Sequence, residues 1–152
     1  MIRSLSAVSL LGLAAIFASP AMAATCAATV DSNDAMQFTT KSLAVPASCK
    51  EFKVTLRHIG KLPKAAMGHN FVVGKTADVN AINADGMKAG VAAGYVKAGD
   101  PRVIAASKLI GGGESTVVSI PVAKLKAGGP YTFFCSFPGH AALMKGSLTL
   151  TK

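Results

Sequence analysis

Within one short loop, Cys135-Ser136-Phe137-Pro138-Gly139-His140-Ala141-Ala142-Leu143-Met144, the chain sets a thiol, an imidazole and a thioether. Fully extended, such a stretch would span about 30 Å, but Pro138-Gly139 is a turn dipeptide that folds it back on itself. The three donors can therefore meet at one point. A thiolate joined by imidazoles and a weak thioether suits copper better than calcium, magnesium or structural zinc, which Cys and His alone satisfy. The loop holds one imidazole, so a second must come from elsewhere.

Of the three histidines in the chain, two remain, His58 and His69. Phe52, Val54, Leu56 and His58 alternate with Lys53, Thr55 and Arg57, the period-2 pattern of a strand with His58 facing inward. A packed core histidine and a functional one both fit that position. His69 follows Gly68 where the apolar run Phe71-Val72-Val73 begins, and a loop mouth can open toward a metal. Gly68 has no side chain, so its carbonyl can approach closely as a weak axial group. Two imidazoles, one thiolate and a long axial Met form the arrangement of blue-copper electron-transfer sites.

The elements that must position these groups read as strands. Residues 27–38 alternate weakly around the turn signal Ser32-Asn33-Asp34, as a strand or hairpin would. Val118, Ile120 and Val122 alternate with Val117, Ser119 and Pro121, and the proline suggests an edge strand. Tyr131, Phe133 and Cys135 share a strand face, and Leu148 with Leu150 alternates against Ser147, Thr149 and Thr151. Residues 76–99 are alanine-rich, with Val79, Ile82 and Met87 at loosely helical spacing, and Gly86, Gly90 and Gly94 limit any helix to a short one. Short strands, frequent turns and one helical insert predict an all-β fold, a β-sandwich.

Residues 1–23 predict an export signal rather than folded protein. Arg3 supplies the positive end, residues 8–17 are an apolar run broken only by small residues, and Ala21-Met22-Ala23 is a small-x-small cleavage pattern. The apolar run is too short to span a membrane. Processing would leave residues 24–152, one compact domain. In an exported chain two of the three cysteines should pair. Cys26 and Cys49 have no histidine nearby, which leaves Cys135 as the odd thiol. The chain is strongly basic, with 16 Lys and Arg against 7 Asp and Glu and a net charge of +9. Its lysines are scattered singly, without the polybasic run that marks nucleic-acid or anionic-lipid binding. Scattered charge can still steer an acidic partner protein.

The loop Cys135-x4-His140-x3-Met144, the upstream Met67-Gly68-His69-Asn70, the pair Cys26 and Cys49, and Leu143-Met144-Lys145-Gly146 resemble the azurin family of bacterial periplasmic blue-copper proteins. Plastocyanin and pseudoazurin share the ligand types but place the loop histidine closer to the cysteine. The resemblance covers essentially all of residues 24–152. It implies an eight-stranded Greek-key cupredoxin sandwich with a helical flap and one type 1 copper that shuttles a single electron. Its implied equatorial ligands are His69, Cys135 and His140, with Met144 and the Gly68 carbonyl axial. Backbone N–H groups of Asn70 and Phe137 would bond the cysteine sulfur. His140 would be the exposed ligand within an apolar docking collar of Met36, Leu62, Met67, Met87, Phe137, Pro138, Ala142 and Leu143. His58 matches a buried histidine whose protonation is linked to redox state, which implies a pH-dependent potential. Phe71 stands where several azurins bury a tryptophan, and this chain has none.

The partners so implied are redox proteins such as c-type cytochromes or periplasmic reductases and dehydrogenases, acidic ones included, met by a monomer with no role for nucleic acid or membrane. Two other classes share some residues. A thiol hydrolase would use Cys135 as nucleophile and His69 or His140 as base, with Asn70 orienting, but it leaves Met144 without a role. A periplasmic copper-storage or delivery protein would share the ligands, but delivery favours open, exchangeable sites. A nitrite reductase or oxidase needs a second, histidine-rich copper, and only His58 is to spare.

Overall fold

The computed structural model describes residues 25–125 and 129–152. The export signal predicted over residues 1–23 lies outside them. Two sheets face each other. One has the order β2-β1-β4-β7, built from β1 (Ala27–Asn33), β2 (Gln37–Phe38), β4 (Glu51–His58) and β7 (Ser115–Pro121). The other has the order β3-β9-β8-β5-β6, from β3 (Ser42–Pro46), β5 (Val72–Lys75), β6 (Ala105–Ala106), β8 (Tyr131–Phe134) and β9 (Lys145–Thr151). Two pairings are parallel, β1 with β4 and β3 with β9, and the others are antiparallel.

The expected alternation is present. Phe52, Val54, Leu56 and His58 are buried along β4 while Lys53 and Arg57 face solvent. Residues 27–38 form the hairpin β1–β2, and β7 lies at a sheet edge with Pro121 closing it. The described residues hold nine strand segments where the resemblance implies eight. Two of them, β2 and β6, are edge pieces of two residues each. The strand β3 was not expected from the sequence, although its Leu43 and Val45 alternate inward.

Between the sheets, Phe38, Phe71 and Phe133 form a ring cluster, with Phe71 stacked on Phe133 at a centroid distance of 4.9 Å and 14° between planes. All three are fully buried, each ring contributing about 2–3 kcal/mol by leaving water. Phe71 therefore fills a core position without an indole. The bridge Cys26–Cys49, with Cα atoms 5.7 Å apart, ties the start of β1 to the start of β4.

The helical insert is α2 (Val79–Ala89), flanked by 3-10 turns at Thr76–Asp78 and Val91–Ala93. Val79 and Ile82 pack on Val72 and Phe134. Ion pairs hold the helix down: Arg102 reaches Asp85 at 2.7 Å and the buried Asp100 at 2.6 Å. A single turn, α1 (Lys64–Met67), precedes Gly68. The residues that follow β1, β4 and β8, and those that precede β5, collect at one end of the sandwich, because Ser32 pairs with His58 and Val72 with Phe134.

Candidate metal centre

At that end, β8 delivers Cys135 into the core with no exposed surface. The loop beyond it closes through its own backbone. Gly139 takes φ 81°, a left-handed turn conformation that a side chain would strain. The N–H of His140 then donates to Phe137 O at 3.0 Å, that of Met144 to His140 O at 2.8 Å, and that of Cys135 to Met144 O at 3.0 Å. Met144, the last residue of the loop, is fully buried.

His69 comes from the other side, held by reciprocal backbone hydrogen bonds with Ile110 at 2.9 and 2.8 Å. Its Nε2 lies 2.9 Å from the carbonyl oxygen of Asn33. A carbonyl only accepts, so Nε2 carries the proton and Nδ1 presents its lone pair. That Nδ1 is 3.9 Å from Cys135 Sγ, His140 Nδ1 is 3.6 Å from it, and the Gly68 carbonyl oxygen is 3.8 Å away. One donor atom each from His69, Cys135 and His140 lies within 4.8 Å of the others.

Burial decides the protonation of these groups. It lowers His69 to about 4, and it lowers His140 as well. It raises the Cys135 thiol to about 11, opposed by the backbone N–H groups of Asn70 and Phe137 that bear on the sulfur. Two neutral imidazoles thus flank a sulfur whose anion needs a nearby cation. A soft metal ion with an affinity for nitrogen would take the place of the thiol proton and satisfy all three donors. The donor chemistry and the preset tautomer of His69 fit copper.

Asn70 joins the two halves of the site, a role the sequence reading missed. Its Nδ2 donates to Ser136 Oγ at 2.8 Å and to Gly94 O at 2.9 Å, and its Oδ1 accepts from the Ser136 N–H at 2.8 Å. Its backbone N–H was expected to bond the cysteine sulfur, or the residue to orient a hydrolase base, and no local pattern marks a clamp between residues so far apart in sequence. Asn33 escaped notice for the same reason, since it acts through a main-chain carbonyl. Gly68 is required by packing: a Cβ there would lie 2.9 Å from the Phe137 ring and 2.6 Å from Lys64 O.

The collar differs in part from its expected form. His140 is only 3% exposed, so it lies beneath the surface instead of standing on it. The physical reason is cover: Phe137, itself buried, packs against it with ring centroids 4.7 Å apart. Leu143, Leu62, Met87 and Ala142 are exposed, and Met36, Met67 and Pro138 are half-buried. His58 stands outside the donor cluster. Its side chain is fully buried, Nε2 lies 3.0 Å from Asp34 Oδ1, Nδ1 is buried without a partner, and its ring sits 4.2 Å from that of His69.

A buried Cys-His-His set with a buried methionine closing the same loop, at one end of a two-sheet sandwich, defines a blue-copper electron-transfer protein of the cupredoxin class. Residues 24–151 match the model of the copper binding proteins of the plastocyanin/azurin family. The chain is 57% identical to an azurin of Achromobacter denitrificans over 132 residues, 87% of this chain and 89% of that one. It is 51% identical to an azurin of Pseudomonas aeruginosa over 150 residues, 99% of each. A solved azurin from the obligate methylotroph Methylomonas sp. strain J superposes with a TM-score of 0.82 at 47% identity, covering 85% of this chain and all of that one. The chain belongs to the plastocyanin/azurin family of copper-binding proteins, as its resemblance to azurins implied.

Proposed function

We propose that this protein is a monomeric periplasmic carrier, not an enzyme, that moves one electron at a time between partner proteins such as c-type cytochromes and periplasmic reductases or dehydrogenases. His69 Nδ1, Cys135 Sγ and His140 Nδ1 would hold the copper, with Met144 and the Gly68 carbonyl as weaker ligands. The observation that carries this reading is the approach of those three donor atoms to within 4.8 Å, with the His69 tautomer already set by Asn33. Bound there, copper supplies a one-electron Cu(II)/Cu(I) couple.

The residues do the rest. Backbone hydrogen bonds at Cys135, His140 and Met144, and the Asn70 clamp, hold the donors nearly still, which keeps reorganisation small when charge changes. The N–H groups of Asn70 and Phe137 disperse charge on the sulfur, which tends to raise the reduction potential. The exposed Leu143 and Leu62 support an apolar rim around His140, and such a surface forms small interfaces that release quickly.

Mature protein loaded with Cu(II) should be intensely blue with a narrow copper hyperfine pattern. A colourless Cu(II) form would overturn the ligand set. Cys135→Ser should abolish the colour, and Met144→Leu should keep it while shifting the potential. If copper-free acceptor proteins strip the metal faster than redox proteins exchange electrons with it, the protein delivers copper instead.

A further inference from the structure

Beside the metal centre lies a cleft of about 480 Å³ that the copper chemistry does not use. The 3-10 turn Val91–Ala93 forms one wall, and residues 106–109 form the other. Its larger apolar side chains are Val91, 65% exposed, and the half-buried Val96 and Leu109. The last two pack inward on the two core clusters, so the floor of the cleft is rigid. Among the described residues no carboxylate lines it, and the charged residues there are Lys64 and Lys108. Among the described residues Lys108 forms no ion pair. Lys64 pairs with Glu114 at 3.1 Å, but both side chains are about half exposed, and such pairs contribute little. Lys108 can meet an anionic partner directly, and Lys64 can do so by exchanging its exposed pairing with Glu114.

The cleft is joined to the centre by direct contacts. Gly94, in its lining, accepts the Asn70 hydrogen bond at 2.9 Å. Tyr95, the next residue, packs edge-on against Phe137 at 5.4 Å, and Phe137 lies on His140. An apolar slot of this size takes one or two hydrophobic side chains, and its lysines demand a negative rim on whatever enters.

We propose that this cleft seats an acidic segment of the redox partner: a hydrophobic side chain enters between Val91 and Leu109 while flanking carboxylates meet Lys108 and Lys64. The inference rests on the reading of the protein as a shuttle between partner proteins, and it adds the surface that selects acidic ones. The cleft then aligns a partner beside the collar, while the collar itself carries little charge for recognition.

The test is a titration of 15N-labelled mature protein in the Cu(I) form with a synthetic acidic hexapeptide, a Phe-Leu centre flanked by pairs of Glu. Amide shifts should change at Val91, Val96, Lys108 and Leu109. Lys108→Glu should weaken binding about tenfold, while Lys53→Glu, the same charge change on the exposed face of β4, should weaken it no more than about twofold. Shifts confined to Ala142 and Leu143, equal weakening by both variants, or tighter binding of decanoate to the same residues would each overturn the proposal. The shuttle reading is scored separately by electron exchange with redox proteins. Cleft binding without exchange sinks the shuttle and leaves the cleft's preference for acidic segments standing, whereas exchange with an unmoved cleft sinks the cleft alone.

Discussion

Asn70 grips Ser136 at both ends, donating to its Oγ and accepting from its backbone N–H, each at 2.8 Å. One side chain thereby locks the residue after His69 to the residue after Cys135. In Asn70→Leu the buried Ser136 N–H and the part-buried Gly94 carbonyl lose their partner. Denaturant unfolding should show a loss of about 3 kcal/mol, because unsatisfied buried groups cost about 1–3 kcal/mol each. Copper affinity should fall about 10-fold to 100-fold, as when other supporting groups of metal sites are removed. Ser136→Ala removes only the hydroxyl and should cost about 1 kcal/mol. An Asn70→Leu protein as stable as its parent would refute the clamp.

Gly68→Ala should push Phe137 and the backbone carbonyl of Lys64 outward, since its Cβ would sit 2.9 and 2.6 Å from them. Overpacking of this kind costs about 1–3 kcal/mol. Adding Phe137→Leu should recover part of the loss and not all, because the Lys64 carbonyl stays in place. Thermal melts of the two single variants and the double variant measure the coupling, and strict additivity would show that the ring is not the obstacle.

Acid should loosen the helical flap. The Arg102 guanidinium beside Asp100 holds its carboxyl down at about 2, below its ordinary 3.8. A depressed carboxylate contributes stability that is fully present above its unfolded value and is lost as pH falls through its folded one. The contribution of Asp100 should therefore fade between about pH 4 and pH 2. Arg102→Met should be less stable at neutral pH and should decline less steeply over that window. Parallel unfolding midpoints for both proteins from pH 5 to pH 2 would contradict the assignment.

Removing the disulfide should weaken the fold and spare the site. In β1, Ala27 pairs with Lys53 near the bridge, and Ser32 pairs with His58 near the metal centre, so the two features lie at opposite ends of the strand. The double variant Cys26→Ala, Cys49→Ala should lose about 3 kcal/mol in the chain-entropy account. Its visible spectrum with Cu(II) should match that of the parent, and a changed spectrum would mean that strain is transmitted along β1.

Much of the centre could be read locally. Cys135, His140 and Met144 lie in one loop around a Pro-Gly turn, and Gly139 indeed takes the left-handed conformation that turn needs. Period-2 alternation placed β4, β7 and β9, because side chains on a strand alternate strictly between faces. The odd cysteine count singled out Cys135 before any contact was known, and Cys26 does bridge to Cys49.

Other features depend on which residues meet across the fold, and no sequence window contains them. His69 became the second imidazole through its position, but its tautomer is set by the Asn33 carbonyl on another strand. The burial of His140 follows from Phe137 lying over it, so its expected exposure was a matter of packing and not of residue type. The sequence by itself determined the Cys135, His140 and Met144 donors, the strand pattern and the chemistry that suits copper, because those reside in residue types and short spacings. Only the tertiary structure decided the Asn70 clamp, the neutral state of His69 and the lysine-flanked cleft beside Gly94, because hydrogen bonds and desolvation act between residues that folding alone brings together.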